Sequence, residues 1–379
     1  MKILITIPCL LTGGTEIQTL SLVRALREAG HDVVVACYFE YAAPMVAAYR
    51  AAGAEVRLLS PDGRRTAGVR ATVRHLWRGL RRAVRDVRPD VAHVQYMAPG
   101  ALPIIILRTL GVRRIVATAH TAGDIYSPRG LKVIRWLNDH VLSAFQCITE
   151  RAERSFFGES RLFEAGMPLR GHGNHFTIYN NVPAYIARRE SPREWDGARG
   201  VTIGVVSRLE RIKGMDLVVP AFAEVRREHP EVRLLVVGDG TLRGEMERQT
   251  REAGVLEWVT FAGRQPQQRL QEYYDSIDVL LMPSRSEGFG LTAVEGMSRG
   301  CVPVVADVGG LPEVVRDGVE GRLHAAGSAA ALAPVLGGLL AQPEELRRLS
   351  AAAIDRAAVF SASAYASAVA ALYASLETR

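Results

Sequence analysis

The sequence predicts two doubly wound α/β domains in tandem. Short Val/Ile/Leu-rich runs alternate with helical stretches along most of the chain, the mark of parallel sheets covered on both faces. The alternation lapses once, over residues 183–200 (PAYIARRESPREWDGARG), which carry two prolines and many charges, and then restarts. The 379 residues are long for one core and sufficient for two domains of about 150–200 residues each.

Residues 2–8 (KILITIP) read as the first buried strand, and 15–29 as a helix that Gly30 ends. Strands are expected next at 32–39, 55–60, 90–96, 113–120 and 144–150, with helices between them. This assigns residues 1–182 to a first domain and 183–200 to a linker. The second domain, 201–358, shows strands at 201–207, 233–239, 258–263, 278–284 and 302–307. The chain is helical after Pro343, and 359–379 holds a closing amphipathic helix. The repetition is architectural; no repeat is visible at the level of residues.

Composition narrows the class. Hydrophobic residues at 48% and charged ones at 23% suit a soluble globular protein. Cys9, Cys37, Cys147 and Cys301 are far apart, without metal-ligand spacing, and read as reduced, mostly buried thiols of a reducing compartment. The apolar start contains Pro8 and leads into TGGTE without a cleavage site, which favours a strand over a secretion signal. No stretch holds 18 uninterrupted apolar residues. A cytoplasmic protein is expected, with peripheral contact at the inner, anionic membrane face left open. The charge is uneven: residues 1–200 hold 28 Lys and Arg against 17 Asp and Glu, the rest 19 against 23. The basic excess peaks in 64–90, where Val69, Val73, Leu76, Trp77, Leu80 and Val84 recur at helical spacing as one apolar face. A crossover helix with a solvated basic face is the favoured reading, attraction to anionic headgroups or an acidic acceptor the other. No aromatic-interleaved basic sheet or recognition helix stands out, so nucleic acid is not an expected partner.

Ligands of open α/β sheets bind beyond the carboxyl ends of the strands, so the turns after each strand hold the candidates. Gly13 and Gly14 open a helix after the first strand, where backbone N–H groups can approach a phosphate or sugar hydroxyl. Their spacing is not the GxGxxG dinucleotide fingerprint, which leaves a dehydrogenase poorly supported. Arg208 and Lys213, in SRLERIKG, can clamp a pyrophosphate, the first as a planar fork and the second as a point charge. Asp239, in VGDG, can hold a ligand hydroxyl or cap the next helix. SEGFGLTAVEG places Glu287 and Glu295 about 10 Å apart by helix rise, the span from a sugar ring across a diphosphate to a ribose. Each carboxylate suits a vicinal diol, and the N–H groups of Phe289, Gly290 and Leu291 at the helix start suit a phosphate.

Residues 284–323, SRSEGFGLTAVEGMSRGCVPVVADVGGLPEVVRDGVEGRL, resemble the donor-site signature of retaining glycosyltransferase family 4, with its Glu-x7-Glu motif. The Gly-Gly-x-Glu loop, RPDVAHVQY, ATAH, VGDGTL, FAGR and FSASAY extend the resemblance over nearly the whole chain. It implies a GT-B fold, two Rossmann-like domains facing across a cleft, with the last helix crossing back to the first. It also implies a nucleotide-diphosphate sugar as donor, no metal or other cofactor, and retention of configuration. By position, Arg208 and Lys213 match the pair that neutralises the diphosphate, and Glu287 the carboxylate on the transferred sugar. Gly288, Phe289, Gly290 and Leu291 match the turn that holds sugar and phosphate, and Glu295 the ribose ligand. Gly13 and Gly14 match a loop near the donor phosphate, and His120 a histidine close to the donor sugar. FAGRQPQ, with Gly263 and Arg264, is expected to meet the base through backbone groups. Asn181, Pro183 and Gly296 depart from the Gly, Asp and Ala common at those places, which bears on the hinge. The expected activity moves a sugar, from a UDP-sugar such as UDP-GlcNAc ahead of GDP- or ADP-sugars, to a hydroxyl in glycan, glycolipid or natural-product biosynthesis. The alternatives are a non-hydrolysing sugar-nucleotide epimerase and a non-catalytic sugar-nucleotide-binding module.

Overall fold

Buried Val, Ile and Leu runs build two all-parallel sheets, one in each of two units. The computed structural model describes residues 1–96, 101–169, 173–194 and 200–377. One unit comprises Met1–Asn181 and Ala362–Arg379, the other Val182–Ser361.

In the first unit the chain runs β1 (Lys2–Ile7), α1 (Gly14–Glu28), β2 (Asp32–Cys37), α2 (Ala43–Ala51), β3 (Glu55–Leu58) and α3 (Val69–Val87). It continues through β4 (Val91–Gln95), α4 (Ala101–Thr109), β5 (Arg114–Ala119), α5 (Pro128–His140), β6 (Ala144–Cys147), α6 (Glu150–Phe157) and β7 (His175–Thr177). The strand order is β3-β2-β1-β4-β5-β6-β7, so the topology reverses between β1 and β4. Alternate residues of each strand serve opposite faces. Ile3, Ile5 and Ile7 pack with α1 and α2, while Leu4, Ala36 and Val94 pack with α3, α4 and α5.

The second unit runs β8 (Thr202–Val206), α7 (Met215–Glu228), β9 (Arg233–Val237), α8 (Arg243–Glu252), β10 (Val259–Gly263), α9 (Leu270–Ser276), β11 (Val279–Met282) and α10 (Leu291–Ser298). Then follow β12 (Val302–Ala306), α11 (Leu311–Val314), β13 (Arg322–His324), α12 (Ala329–Leu340) and α13 (Pro343–Val359). The order β10-β9-β8-β11-β12-β13 reverses between β8 and β11. The last helix, α14 (Ala362–Glu377), belongs to the first unit, where Tyr365, Val369, Leu372, Tyr373 and Leu376 join the core beside α1. Residues Pro343–Glu377 are long enough, and over an 18-residue window apolar enough, to cross a membrane by length and composition alone. Here those apolar side chains of α14 are core residues. Cys37, Cys147 and Cys301 are buried, Cys9 is half-buried, and all four are free thiols.

Three sequence readings change. The three-residue edge strands β7 and β13 are too short to show a period and were not expected. The apolar face of α3 is displaced: Leu76, Leu80, Ala83 and Val87 are buried, whereas Val69 is 79% exposed and Val73 and Trp77 are each a little over a third exposed. The first turns of α3 overhang the core, so part of the stripe has nothing to pack on. Finally, the described part of the stretch read as a linker, 183–194, is packed onto the second unit. Arg193 is 5% exposed; its guanidinium donates to the carbonyls of Tyr274, Asp275 and Arg299 and lies 3.5 Å from the fully buried Asp278 carboxylate.

Removing one partner of such a buried pair leaves a desolvated charge behind. Arg193→Leu is expected to destabilise the second unit by about 3–5 kcal/mol, lowering its melting temperature by roughly 10 °C in calorimetry of the full chain. An unchanged melting temperature would mean that this segment carries no fold.

Candidate functional site

The reversal between β8 and β11 leaves a crevice at their carboxyl ends, where open α/β sheets take ligands. The loop after β8 supplies Arg208, whose side chain is exposed and makes no hydrogen bond or ion pair among the described residues, its charge acting on nearby Glu210. A short 3-10 turn, Arg211–Lys213, then brings Lys213 back towards β11. Its Nζ donates to Glu287 Oε2 at 2.6 Å, and both side chains are mostly buried. The two loops are tied together beside this pair. The Arg285 N–H donates to the Ile212 carbonyl at 2.9 Å, and its guanidinium grips Asp216 with bonds of 2.6 and 2.8 Å while also donating to the Arg211 carbonyl. Burial works against the Asp216 charge, but the bonds and charge of Arg285 hold that carboxyl below its ordinary range.

The Glu287-Gly288-Phe289-Gly290 turn has its own anchors. Phe289 is buried edge-on against Phe360, with ring centroids 5.6 Å apart. Its side chain fixes the turn from inside. Gly309, at φ 56°, lies so close that a Cβ would overlap the Glu287 carbonyl oxygen, which accepts the Gly310 N–H at 3.2 Å. Gly290, at φ 101°, starts α10 from the left-handed region, which a side chain would strain. The N–H groups of Gly290 and Leu291 have no partner among the described residues. These are the orphan donors of a helix start, three and four residues beyond the Glu287 that Lys213 holds, an arrangement suited to phosphate.

Glu295 sits differently from Glu287. It is 4% exposed, and both its oxygens accept phenols: Oε1 that of Tyr185 at 2.7 Å, Oε2 that of Tyr274 at 2.5 Å. Burial pushes its carboxyl up to about 7, against the two phenol bonds, which favour the ionised form. Each oxygen keeps a second lone pair. Asp239 is exposed and accepts the Gly240 N–H at 2.8 Å, while its carbonyl accepts the Leu209 N–H. The Gly263 carbonyl accepts the Gly238 N–H at 2.9 Å, so main-chain bonds join the loops after β8, β9 and β10. Arg264 is exposed, with no partner among the described residues.

The remaining candidates lie in the first unit. Gly13 precedes α1, and a Cβ there would press on Glu16 Oε2, whereas Gly14 has open space around it. Buried Glu16 accepts the Cys9 thiol at 3.1 Å; burial and this neighbour push the thiol up to about 12. His120 follows β5 and is 7% exposed, and burial holds its imidazole down at about 3, so it is neutral at pH 7. No group of three or more His, Cys, Asp or Glu is placed to hold a metal among the described residues. Sequence reasoning missed Asp216, Arg285, Tyr185 and Tyr274, which meet the motif residues only through the fold.

Residues 12–163 match the profile Glycosyltransferase Family 4, and 194–356 that of Glycosyl transferases group 1. The D-inositol 3-phosphate glycosyltransferase of Frankia alni is 30% identical over 312 residues, covering 73% of this chain and 72% of that protein. The chain belongs to glycosyltransferase family 4. A GDP-mannose-dependent alpha-(1-6)-phosphatidylinositol monomannoside mannosyltransferase of Mycolicibacterium smegmatis is another relative, 32% identical over 277 residues, 69% of this chain and 71% of that one. Over a shorter stretch of 166 residues, 42% of this family 4 chain, identity to the Nocardia farcinica D-inositol 3-phosphate glycosyltransferase reaches 38%, and the match spans 37% of that protein's length. The structure is similar to that of Anabaena HepE in complex with UDP and glucose, with a TM-score of 0.78 and 20% identity, covering 99% of this chain and 100% of that one; this likeness shows the fold, GT-B.

Glu295 yields a signed prediction. Its folded pKa of about 7 lies above the unfolded carboxyl value of about 4.3. The group therefore contributes stability that is complete below the unfolded value and lost as pH rises through 7. Glu295→Gln is expected to remove that part of the decline in melting temperature between pH 5 and 8. Parallel curves for the two proteins would contradict it.

Proposed function

We propose that this family 4 chain transfers a sugar from a nucleoside-diphosphate sugar to an acceptor hydroxyl with retention of configuration. The observation that supports the reading is the Lys213–Glu287 pair, which ties the loop after β8, with exposed Arg208, to the loop after β11, where the N–H groups of Gly290 and Leu291 are unpartnered among the described residues. Cations and orphan donors there suit the diphosphate, and a carboxylate next to them suits the hydroxyls of the sugar it carries.

In the proposed reaction the bond between the anomeric carbon and the diphosphate oxygen breaks, and negative charge grows on the leaving group. Lys213, Arg208 and the start of α10 are preset to receive that charge. Glu287, released from Lys213, accepts sugar hydroxyls. The acceptor oxygen bonds to the anomeric carbon on the face that the diphosphate leaves, and its proton passes to the departing phosphate oxygen. Sugar and acceptor are joined, the nucleoside diphosphate is released, and no enzyme nucleophile is needed. Glu295 is assigned to ribose hydroxyls through its second lone pairs, and the loops with Asp239, Gly263 and Arg264 to the rest of the nucleotide. Two side-chain cations serve the diphosphate in this scheme, so no metal is required.

The favoured donor is a UDP-sugar such as UDP-GlcNAc, in keeping with the UDP and glucose named for HepE. A GDP-sugar is the rival, because one relative is named as GDP-mannose-dependent. Relatives named for inositol phosphate and phosphatidylinositol monomannoside, together with the basic excess of residues 1–200, favour an anionic polyol or glycolipid acceptor.

A thermal-shift screen of nucleotide sugars identifies the donor, since a ligand of the native state raises the melting temperature. With that donor, Lys213→Ala and Arg208→Ala are each expected to lower kcat by roughly 100- to 1,000-fold while folding normally, and a chelator to leave turnover intact. Near-normal turnover in both variants would overturn the reading, and donor conversion without any acceptor would point to an epimerase.

A further inference from the structure

The first sheet carries a polar row on a face that is otherwise core. Gln95 is the last residue of β4, at the reversal of strand order, and pairs in register with Thr118 of β5. His93, two residues before Gln95, and His120, two after Thr118, point to the same side. On that side Val91 and Val116 pack with α1 and α14. His93 bonds the Tyr373 hydroxyl of α14 through Nδ1 at 2.8 Å and Thr118 Oγ1 through Nε2 at 2.7 Å. His120 Nε2 lies 2.8 Å from Gln95 Oε1.

Two features of this row cost stability, and both lie at His120. Gln95 is 2% exposed, yet its amide nitrogen has no partner among the described residues. A buried amide left unpaired is costly, so a second role for this side chain is implied. The next residue, Tyr96, has φ 72°, in the left-handed region that residues other than glycine seldom occupy. This turn sets its ring over His120, with centroids 5.2 Å apart. An apolar residue at position 95 and a relaxed turn at 96 would have made a more stable sheet end.

We propose that Gln95 is a positioning residue that holds His120 as the neutral tautomer protonated on Nε2, so that Nδ1 is presented as an acceptor to a hydroxyl of a bound carbohydrate. An amide oxygen can only accept, so the proton between the two side chains belongs to His120. The ring is neutral, so Nδ1 then holds a lone pair, and it has no partner among the described residues. A nitrogen as weakly basic as this one, at about 3, orients a hydroxyl and does not remove its proton at pH 7. The Gln95 amide N–H groups are free to donate to the same carbohydrate. Only the identity of the hydroxyl rests on the transferase reading; the tautomer stands on the hydrogen bond.

The test is nitrogen-15 NMR of histidine-labelled full-length protein at pH 7, with the His120 signals assigned by their loss in His120→Asn. The proposal expects a protonated Nε2 and an unprotonated Nδ1. Gln95→Leu should give a mixture of tautomers and lower kcat/KM by roughly tenfold, the value of one hydrogen bond of about 1–1.5 kcal/mol. Gln95→Glu keeps an acceptor oxygen and should keep the tautomer, including in any case where the leucine variant does not fold. The substrate whose KM rises in Gln95→Leu, donor or acceptor, owns the hydroxyl. Protonation of Nδ1 in the wild type, or an unaltered tautomer in folded Gln95→Leu, would overturn the proposal. If the tautomer results hold while no nucleotide sugar is turned over, the transferase reading fails and the positioning role survives.

Discussion

The structure of the second unit's site depends on one contact, the Lys213 ammonium against the Glu287 carboxylate at 2.6 Å. Two unit charges 4 Å apart attract by about 4 kcal/mol at the effective dielectric of a protein surface. A single carboxylate is therefore a serious competitor for the lysine, and only a ligand group with more negative charge displaces it readily. A diphosphate qualifies; a neutral sugar does not. The pair also keeps either side chain from being left as a lone charge in a half-dry crevice. The surrounding structure fixes its geometry: Arg285 and Asp216 lock the turn that carries Lys213, while Gly309 and the Phe289–Phe360 contact lock the turn that carries Glu287.

The second carboxylate of the motif is handled by opposite means. Glu287 faces a cation, whereas Glu295 faces two phenols in a desolvated place. Identical side chains thus acquire different properties from their surroundings. Glu287 is held by a charge, whereas Glu295 accepts two hydroxyls, those of Tyr185 and Tyr274.

Motifs whose chemistry is local were legible in the sequence. The long buried strands, the glycine turns after them and the two glutamates with seven residues between them all declare themselves within a few positions. At Gly309 the need for glycine comes from the Glu287 carbonyl on another loop, which no local pattern announces. Tyr185, Arg193, Asp216 and Arg285 looked like ordinary linker or surface residues, because their partners lie about 70 or more positions away. Arg193 shows the physical reason most plainly. A stretch rich in charge and proline resembles a solvated linker, yet one guanidinium with three carbonyls and a buried aspartate makes it part of the core. The exposed start of α3 shows the converse, since helical periodicity marks an apolar stripe but not how far the core beneath it reaches.

A crystal structure of the protein with the bound nucleoside-diphosphate sugar tests the central claim most directly. The account predicts diphosphate oxygens in contact with Lys213 Nζ, the Arg208 guanidinium and the Gly290 and Leu291 N–H groups, with the Lys213–Glu287 bond broken and Glu287 on the sugar. A diphosphate bound elsewhere, with Lys213 still on Glu287, would contradict it.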